Sequence, residues 1–215
     1  MKILIACEYS STVRDAFYKK GHKAYSCDIL PTEGNPAFHF KEDILKIISG
    51  GWLKTENGRK IFIDKWDMMI AHPPCTYLSI AGASKYKSPG RKELRDDAVD
   101  FFIALQNARI EKIAIENPIP FKCVQERVGK YDQYVNPFDF GTPERKRICL
   151  WLKNLPLLKP TKPVNAPIKK TYIRKTGPKA GQPYHTYYHQ GKSAKERARF
   201  FKTIAEAMAS QWGGK

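Results

Sequence analysis

Several features that would assign the sequence to a class at once are missing from it. No apolar run approaches the roughly 18 residues that a membrane-spanning helix needs, and the start MKILIACEYS has no apolar signal core before Glu8. The five cysteines are odd in number, widely spaced and never arranged as C-x-x-C, which argues against a disulfide framework and against a zinc site. We therefore expect a soluble, cytoplasmic protein without a bound metal.

Acidic residues are also scarce, and they are unevenly distributed. The 215 residues include 38 Lys and Arg but only 21 Asp and Glu, a net charge of +17. Residues 1–150 carry 24 basic and 19 acidic residues, a net of +5, whereas residues 151–215 carry 14 basic and 2 acidic residues, a net of +12. This imbalance predicts a polyanionic partner, contacted mainly by the carboxyl-terminal segment. The alternative is that this segment is only a solvated basic surface.

Short apolar segments alternate with helical patterns over the first 150 residues. KILIA, KAYSCD, WDMMIA, Lys112–Ile115 and RICLWL are predicted strands, and the first is followed by a helix that Ser10 or Ser11 could cap. Residues 50–65 are predicted to form an inserted loop or hairpin, and residues 76–92 a mobile loop. The pattern favours an α/β fold with a Rossmann-like, doubly wound and mostly parallel sheet.

The composition changes after the last of these strands. Prolines interleaved with lysines between Pro156 and Pro183 exclude an ordinary helix. A helical apolar stripe then returns between Lys195 and Trp212. We predict one catalytic domain made of residues 1–152 and 195–215, and a basic segment, residues 153–194, that contacts nucleic acid.

Polar residues follow several predicted strands, where ligands gather in an open parallel sheet. The turn Glu8-Tyr9-Ser10-Ser11 could hold the polar end of a nucleotide-like cofactor at a helix amino terminus, although it contains no glycine. Asp28 ends the second strand, where an acid that binds ribose hydroxyls is expected. An acid at this position could instead be only a turn residue.

Two further strand ends carry reactive groups. Cys75 follows the rigid Pro73-Pro74 turn, which should expose its sulfur at the sheet edge, and neighbouring cations would increase its thiolate fraction. Glu116 ends another strand, and a partly buried carboxyl group there could act as an acid toward a ring nitrogen.

Three short motifs in this order, PPC at 73–75, ENP at 116–118 and GTPERKR at 141–147, resemble hallmarks of the DNA cytosine-5 methyltransferase family. The similarity is greatest to the compact members found in phages and prophages, which implies a bacterial or phage-infected host cell. The resemblance implies S-adenosylmethionine as the cofactor, bound by residues 8–11, Asp28 at the ribose, Asp43 near the adenine, and Pro73. The segment from Arg197 to Trp212 resembles the closing element beside that cofactor site.

The resemblance also implies a mechanism. Cys75 would attack carbon 6 of a flipped cytosine while Glu116 holds or protonates nitrogen 3, and Arg145 and Arg147 would fix the carbonyl and phosphate of that nucleotide. Further DNA contacts are expected from four cations of the mobile loop, four cations of the basic segment and four tyrosines suited to stacking on bases. These residues are Lys85, Lys87, Arg91 and Lys92; Lys169, Lys170, Arg174 and Lys175; and Tyr172, Tyr184, Tyr187 and Tyr188.

The sequence departs from the family pattern in several places. Thr76 stands where Gln is usual, Pro118 stands where Val is usual, and the first motif lacks its glycines. Only residues 153–194 separate the arginine strand from the last helix, so the usual large target-recognition domain is missing. We therefore expect weak or short sequence specificity, or help from another subunit.

Three alternatives remain open at this point. An amino-methyltransferase also places a Pro-Pro turn after a strand, although His72 and Cys75 do not suit an amino group. A related enzyme could modify RNA or transfer a group larger than methyl. A non-catalytic nucleic-acid-binding protein on the same fold would have no use for Cys75.

Overall fold

Seven of the eleven strands form one central sheet in the computed structural model, which describes residues 1–80, 88–166, 168–187, 196 and 199–214. In chain order the strands are β1 (Lys2–Ala6), β2 (Lys23–Asp28), β3 (His39–Lys41), β4 (Gly51–Lys54), β5 (Lys60–Ile63), β6 (Met68–Ala71), β7 (Lys112–Pro118), β8 (Gln133–Val135), β9 (Ile148–Lys153), β10 (Ile168–Ile173) and β11 (Pro183–Tyr187). The helices are α1 (Thr12–Lys19), α2 (Ile44–Ile47), α3 (Arg91–Gln106), α4 (Lys122–Val128) and α5 (Lys202–Trp212).

The order of strands in the central sheet is β3-β2-β1-β6-β7-β9-β8. β1 pairs in parallel with β2 and β6, β2 with β3, and β6 with β7, whereas β9 is antiparallel to both β7 and β8. A doubly wound sheet with one antiparallel strand inserted near its end is the Rossmann-like methyltransferase fold. The predicted fold class is therefore confirmed.

Each face of the sheet is covered by its own layer of helices, which explains why the central strands β1 and β6 are almost wholly apolar. On one face, Ile3 and Ile5 of β1 belong to a core with α1 and α5. On the other face, Leu4 and Ala6 belong to a core with α3 and α4. The alternation of β1 side chains between two buried faces explains the unbroken run KILIA.

The amino-terminal cap of α1 differs from the sequence prediction. Ser11 occupies the cap position but makes no side-chain cap hydrogen bond, and its backbone is left-handed, with φ of 61°. The Glu8 carboxylate accepts the hydrogen bonds from the amides of Val13 and Arg14 instead, at 2.7 and 3.2 Å. A carboxylate is the better acceptor at the positive end of a helix.

The last helix begins later than predicted within the described residues. α5 starts at Lys202, because Phe201 is extended, with φ of −78° and ψ of 121°. Phe200 therefore lies outside the helix. Residues 195, 197 and 198, where the helix was predicted to begin, lie outside the described residues.

Two hairpins lie apart from the central sheet. β4 and β5 form the first, which confirms the alternative of a hairpin for residues 50–65. It begins at Gly50, where φ is 77° and an added Cβ would lie 2.4 Å from the Ile63 carbonyl oxygen. β10 and β11 form the second, in the Pro- and Lys-rich segment that was predicted to lack a helix. In the part of the chain that the structure describes, no helix is long and apolar enough to cross a membrane.

Candidate active site

The three motifs meet at one edge of the central sheet. β6 and β7 are parallel and in register, with Ala71 opposite Ile115, so the chain beyond both strands emerges at the same edge. β9 is antiparallel to β7 and pairs Ile148 with Pro118, which brings residues 144–147 to that edge as well. The topology therefore brings together Cys75, Glu116 and the basic residues before β9.

Cys75 lies in a tight turn directly beyond β6. Its carbonyl oxygen accepts hydrogen bonds from the amides of Leu78 and Ser79, at 3.2 and 3.1 Å. Burial raises the pKa of the Cys75 thiol, and the nearby Glu116 carboxylate raises it further. Lys146 and the Ser79 hydroxyl oppose these effects without reversing them. The expected effect of a neighbouring cation is therefore present in Lys146, but burial and Glu116 outweigh it.

Glu116 is held by His72, a residue to which the sequence analysis gave no role. His72 Nδ1 lies 3.2 Å from Glu116 Oε2, and both side chains are mostly buried. The His72 amide donates to the Ala6 carbonyl oxygen at 2.9 Å, and the Phe200 ring packs on the imidazole with centroids 4.7 Å apart. His72 thus fixes the orientation of the carboxylate that faces Cys75.

Asn117 joins the two motif segments. It is 2% exposed, and its Nδ2 donates a hydrogen bond of 2.9 Å to the carbonyl oxygen of Pro73. This bond connects the end of β7 directly to the turn that carries Cys75. The sequence contained a signal for this role, since Asn117 is the second residue of the Glu-Asn dipeptide, but it was not assigned as a site residue.

The basic residues before β9 do not all face the same way. Lys146 is half-buried and is the cation whose charge lowers the pKa of Cys75. The exposed Arg147 guanidinium lies 4.7 Å from the centroid of the Tyr134 ring, and Arg145 is also exposed. The exposed arginines therefore flank the site, whereas the half-buried Lys146 approaches the thiol. After His72 and Asn117, Lys146 is the third residue of the site without a role in the sequence analysis.

The loop after Cys75 is described only in part. Arg91, at the start of α3, donates to the Thr76 carbonyl oxygen at 3.1 Å, and its guanidinium lies 4.6 Å from the Tyr77 ring centroid. Lys92 pairs with Asp96 at 2.8 Å on the solvent side of α3. Lys85 and Lys87 lie outside the described residues. Arg91 therefore holds the segment just beyond Cys75.

The turn after β1 is mostly closed to ligands. Glu8, Tyr9 and Ser11 are buried, and Glu8 already occupies the first amides of α1. The Thr32 hydroxyl donates to the Tyr9 carbonyl oxygen at 3.1 Å, so the segment after β2 covers this turn. Ser10 is the member of the turn that lines an open cavity.

That cavity has a volume of about 880 Å³ and lies between α1, residues 142–146 and α5. Its walls include the polar residues Ser10 and Thr12 and the cations Lys146 and Arg199. Phe200 lines it too, and the same ring packs on His72. The cavity therefore adjoins the group formed by Cys75, His72 and Glu116.

A pair of carboxylates lies on the other side of the β1 turn. Burial is the main cause that raises the pKa of the half-buried Cys7 thiol, and the Asp28 and Asp43 carboxylates raise it further. Both carboxylates therefore lie near Cys7. Burial raises the pKa of Asp28 as well, although the Leu30 amide donates to it at 2.9 Å. Two adjacent acceptors suit the ribose hydroxyls and adenine amine of a nucleoside. These residues fit S-adenosylmethionine. No group of three metal-binding side chains occurs among the described residues.

The second hairpin carries the predicted basic surface. Every residue of β10 is exposed, including Lys169 and Lys170. Tyr172 stacks on Tyr184 across the hairpin, with centroids 5.4 Å apart and an interplanar angle of 22°, and Arg174 lies 5.2 Å from the Tyr184 ring centroid. Tyr188 and the side chain of Tyr187 lie outside the described residues.

No protein-family model and no curated protein matches the sequence. Among solved structures, the chain is similar to one provisionally described as a DNA modification methyltransferase encoded within a prophage of E. coli, with a TM-score of 0.47 and 14% identity. The match covers 76% of this chain and 52% of the other, so this chain spans about half of that structure's length. The fold assignment therefore rests on the strand order.

Proposed function

We propose that the protein is an S-adenosylmethionine-dependent DNA methyltransferase that modifies carbon 5 of cytosine through a covalent adduct with Cys75. The observation that supports this most is the grouping of Cys75, Glu116 and Lys146 at one sheet edge, where Glu116 and Lys146 both act on the pKa of the thiol. A thiol and a carboxyl group are the two groups that addition to a pyrimidine ring requires.

The resting state is a thiol, and its neighbour provides a way to ionise it. If the Glu116 carboxylate accepts the thiol proton, it loses the negative charge that opposes ionisation of Cys75. Thiolate and carboxylic acid then form together. The sulfur adds to carbon 6 of a flipped cytosine while Glu116 gives its proton to nitrogen 3, which makes carbon 5 electron-rich.

The remaining steps restore the ring. S-adenosylmethionine, when bound, would supply an electrophilic methyl group, and Asp28 and Asp43 would hold its ribose and adenine. Ser10 lines the adjoining cavity, whereas Pro73 is buried at the same sheet edge. After carbon 5 has gained the methyl group, a base removes the proton from that carbon. Its electron pair re-forms the double bond between carbons 5 and 6 and expels the Cys75 thiolate, and nitrogen 3 returns its proton to Glu116.

The contacts of His72 support cytosine-5 chemistry over amino-methylation. An amino-methyltransferase needs an acceptor at the position before the Pro-Pro turn to grip the substrate amine. Here that residue is His72, and its Nδ1 is already engaged with Glu116 at 3.2 Å. RNA and DNA substrates, and methyl and larger transferred groups, are separated by the experiments below.

The test is incubation with DNA containing 5-fluorocytosine and S-adenosylmethionine. Fluorine at carbon 5 cannot leave as a proton does, so a denaturation-resistant protein–DNA adduct should accumulate. Cys75→Ala should form none, whereas Cys123→Ala, which removes another half-buried thiol, should form it as the native protein does. Failure to trap an adduct on DNA, with trapping on fluorinated RNA, would move the substrate to RNA. No adduct on either, or an adduct with Cys75→Ala, would contradict the proposal.

A further inference from the structure

The β4–β5 hairpin presents an unusual outer face. Trp52 is 76% exposed and Phe62 is 57% exposed, and the two are direct cross-strand partners with ring centroids 5.4 Å apart. Soluble proteins rarely leave an aromatic pair this open without a partner for it. The opposite face is ordinary, because Leu53, Ile61 and Ile63 are buried in the core.

The same outer face carries a pair of like charges. Lys54 and Lys60 are direct cross-strand partners. Each lies two residues along its strand from the aromatic pair, so all four side chains share one face of the hairpin. Like charges directly opposite each other destabilise a two-stranded ribbon. Neither lysine forms an ion pair with a carboxylate in the described part of the chain. A bound anion would remove this repulsion.

A groove of about 480 Å³ continues this face toward α2. Its walls contain three lysines, two glutamates and Trp52, and Lys46 is paired with Glu42 at 2.9 Å, so Lys41 and Lys54 are its unpaired cations among the described residues. The tip of the hairpin is anchored beside the β1 turn, because Glu56 accepts a hydrogen bond of 3.1 Å from the Thr32 amide. The face is therefore held at a fixed position relative to the candidate active site.

We propose that the outer face of the β4–β5 hairpin, formed by Trp52, Lys54, Lys60 and Phe62, binds single-stranded nucleic acid. Exposed rings offer stacking surfaces for bases, and the unneutralised pair Lys54 and Lys60 attracts phosphates. Bases in a duplex are already stacked, so only an unpaired strand can use the aromatic pair. A protein partner is less well matched, since lysine is depleted at protein interfaces.

This inference goes beyond the proposed catalysis and can be tested without it. Trp52 is the reporter, because Trp66, Trp151 and Trp212 are 3%, 6% and 4% exposed. In the Cys75→Ala protein, a single-stranded thymidine oligonucleotide should quench tryptophan fluorescence, whereas a blunt duplex should not. Trp52→Phe should retain affinity measured by anisotropy of a labelled oligonucleotide. Trp52→Ala should bind about 5- to 150-fold more weakly, and Leu157→Ala, at another exposed apolar residue, should bind normally.

The charge contribution is measured separately. Each phosphate contact on a single strand contributes about 0.7 to the slope of log affinity against log salt. Replacing both Lys54 and Lys60 with Ala should therefore reduce the magnitude of that slope by about 1.4. Replacing the exposed Lys122 and Lys130 should leave the slope unchanged. Three outcomes would overturn the proposal: no quenching by any strand, quenching by anionic vesicles alone, or a dimer that Trp52→Ala dissociates.

Discussion

Replacing Asn117 tests how the Cys75 turn is held in position. The Asn117 side chain is 2% exposed and donates a 2.9 Å hydrogen bond to the Pro73 carbonyl oxygen. Asn117→Ala leaves that carbonyl without its donor, and we expect a loss of about 1–3 kcal/mol in the free energy of unfolding. Asn117→Asp should cost more, because a buried carboxylate would face the carbonyl oxygen.

The larger effect should be on the reaction. A displacement of about 1 Å at a reacting group can reduce a rate about 100-fold, so Asn117→Ala should show that reduction in single-turnover methyl transfer while cofactor affinity is retained. The matched control is Asn154→Ala, because Asn154 also donates a 2.9 Å hydrogen bond to a carbonyl oxygen, that of Glu111, on the surface. Asn154 also has a left-handed backbone, with φ of 53°, so Asn154→Ala should lose stability through backbone strain as well as through the lost hydrogen bond.

Urea unfolding and rapid-quench kinetics measure the two effects separately. The positioning role requires that Asn154→Ala lose stability while keeping the native rate. A native single-turnover rate in Asn117→Ala, or an equal loss of rate in Asn154→Ala, would show that the hydrogen bond from Asn117 to Pro73 does not position the Cys75 turn for the reaction.

Three further predictions concern other charges of the molecule. The Glu116 carboxylate raises the pKa of the Cys75 thiol and Lys146 lowers it. At neutral pH, Glu116→Gln should therefore speed alkylation of Cys75 by iodoacetamide, although it abolishes methyl transfer, and Lys146→Ala should slow alkylation. Alkylation is followed by mass spectrometry of the Cys75 peptide, and unchanged rates would contradict the effect of these charges on the thiol. Burial raises the pKa of Glu8 in the folded protein. Protonation of Glu8 therefore adds its full amount to the free energy of unfolding below the unfolded pKa of about 4.3, and this amount is lost as pH rises through the folded pKa. Glu8→Gln removes the titrating group, so the free energy of unfolding should fall less with rising pH in the variant than in the native protein, and identical pH profiles would argue against this. Replacing Lys169, Lys170, Arg174 and Lys175 with Ala should reduce the salt slope of duplex binding by up to about 3.6, and an unchanged slope would leave these residues as a solvated surface.

The fold could be predicted because its main signal is local. KILIA, KAYSCD and WDMMIA are short apolar segments separated by helical patterns, and alternation of this kind favours a parallel sheet whatever its details. The order of PPC, ENP and ERKR then indicated which strand ends carry the chemistry. Within the described residues, the topology brings these motifs to one edge, as that order implied.

The partners of the reactive groups could not be predicted in the same way. The contacts between His72 and Glu116, and between Asn117 and Pro73, depend on the register of β6 against β7. The approach of Lys146 to Cys75 depends on how the segment before β9 folds. The Glu-Asn dipeptide marks Asn117, but no pattern along the chain encodes which groups these residues contact.

Two effects of the folded structure could not be predicted from the sequence. A cation near Cys75 was expected and Lys146 is one, but the burial of the thiol and the Glu116 carboxylate, which outweigh Lys146, arise only in the fold. The helix cap was wrong for a related reason. A serine next to the helix is the usual cap, but Glu8 reaches the same amides from the end of β1.

Transfer of a methyl group to carbon 5 of cytosine by way of Cys75 leaves a product that can be identified. Incubation with unmodified DNA and S-adenosylmethionine that carries a trideuterated methyl group, followed by digestion and mass spectrometry of the nucleosides, measures this directly. We expect trideuterated 5-methyldeoxycytidine with the native protein and none with Cys75→Ala. Label in N4-methyldeoxycytidine or N6-methyldeoxyadenosine, or label in 5-methyldeoxycytidine that persists in Cys75→Ala, would contradict it.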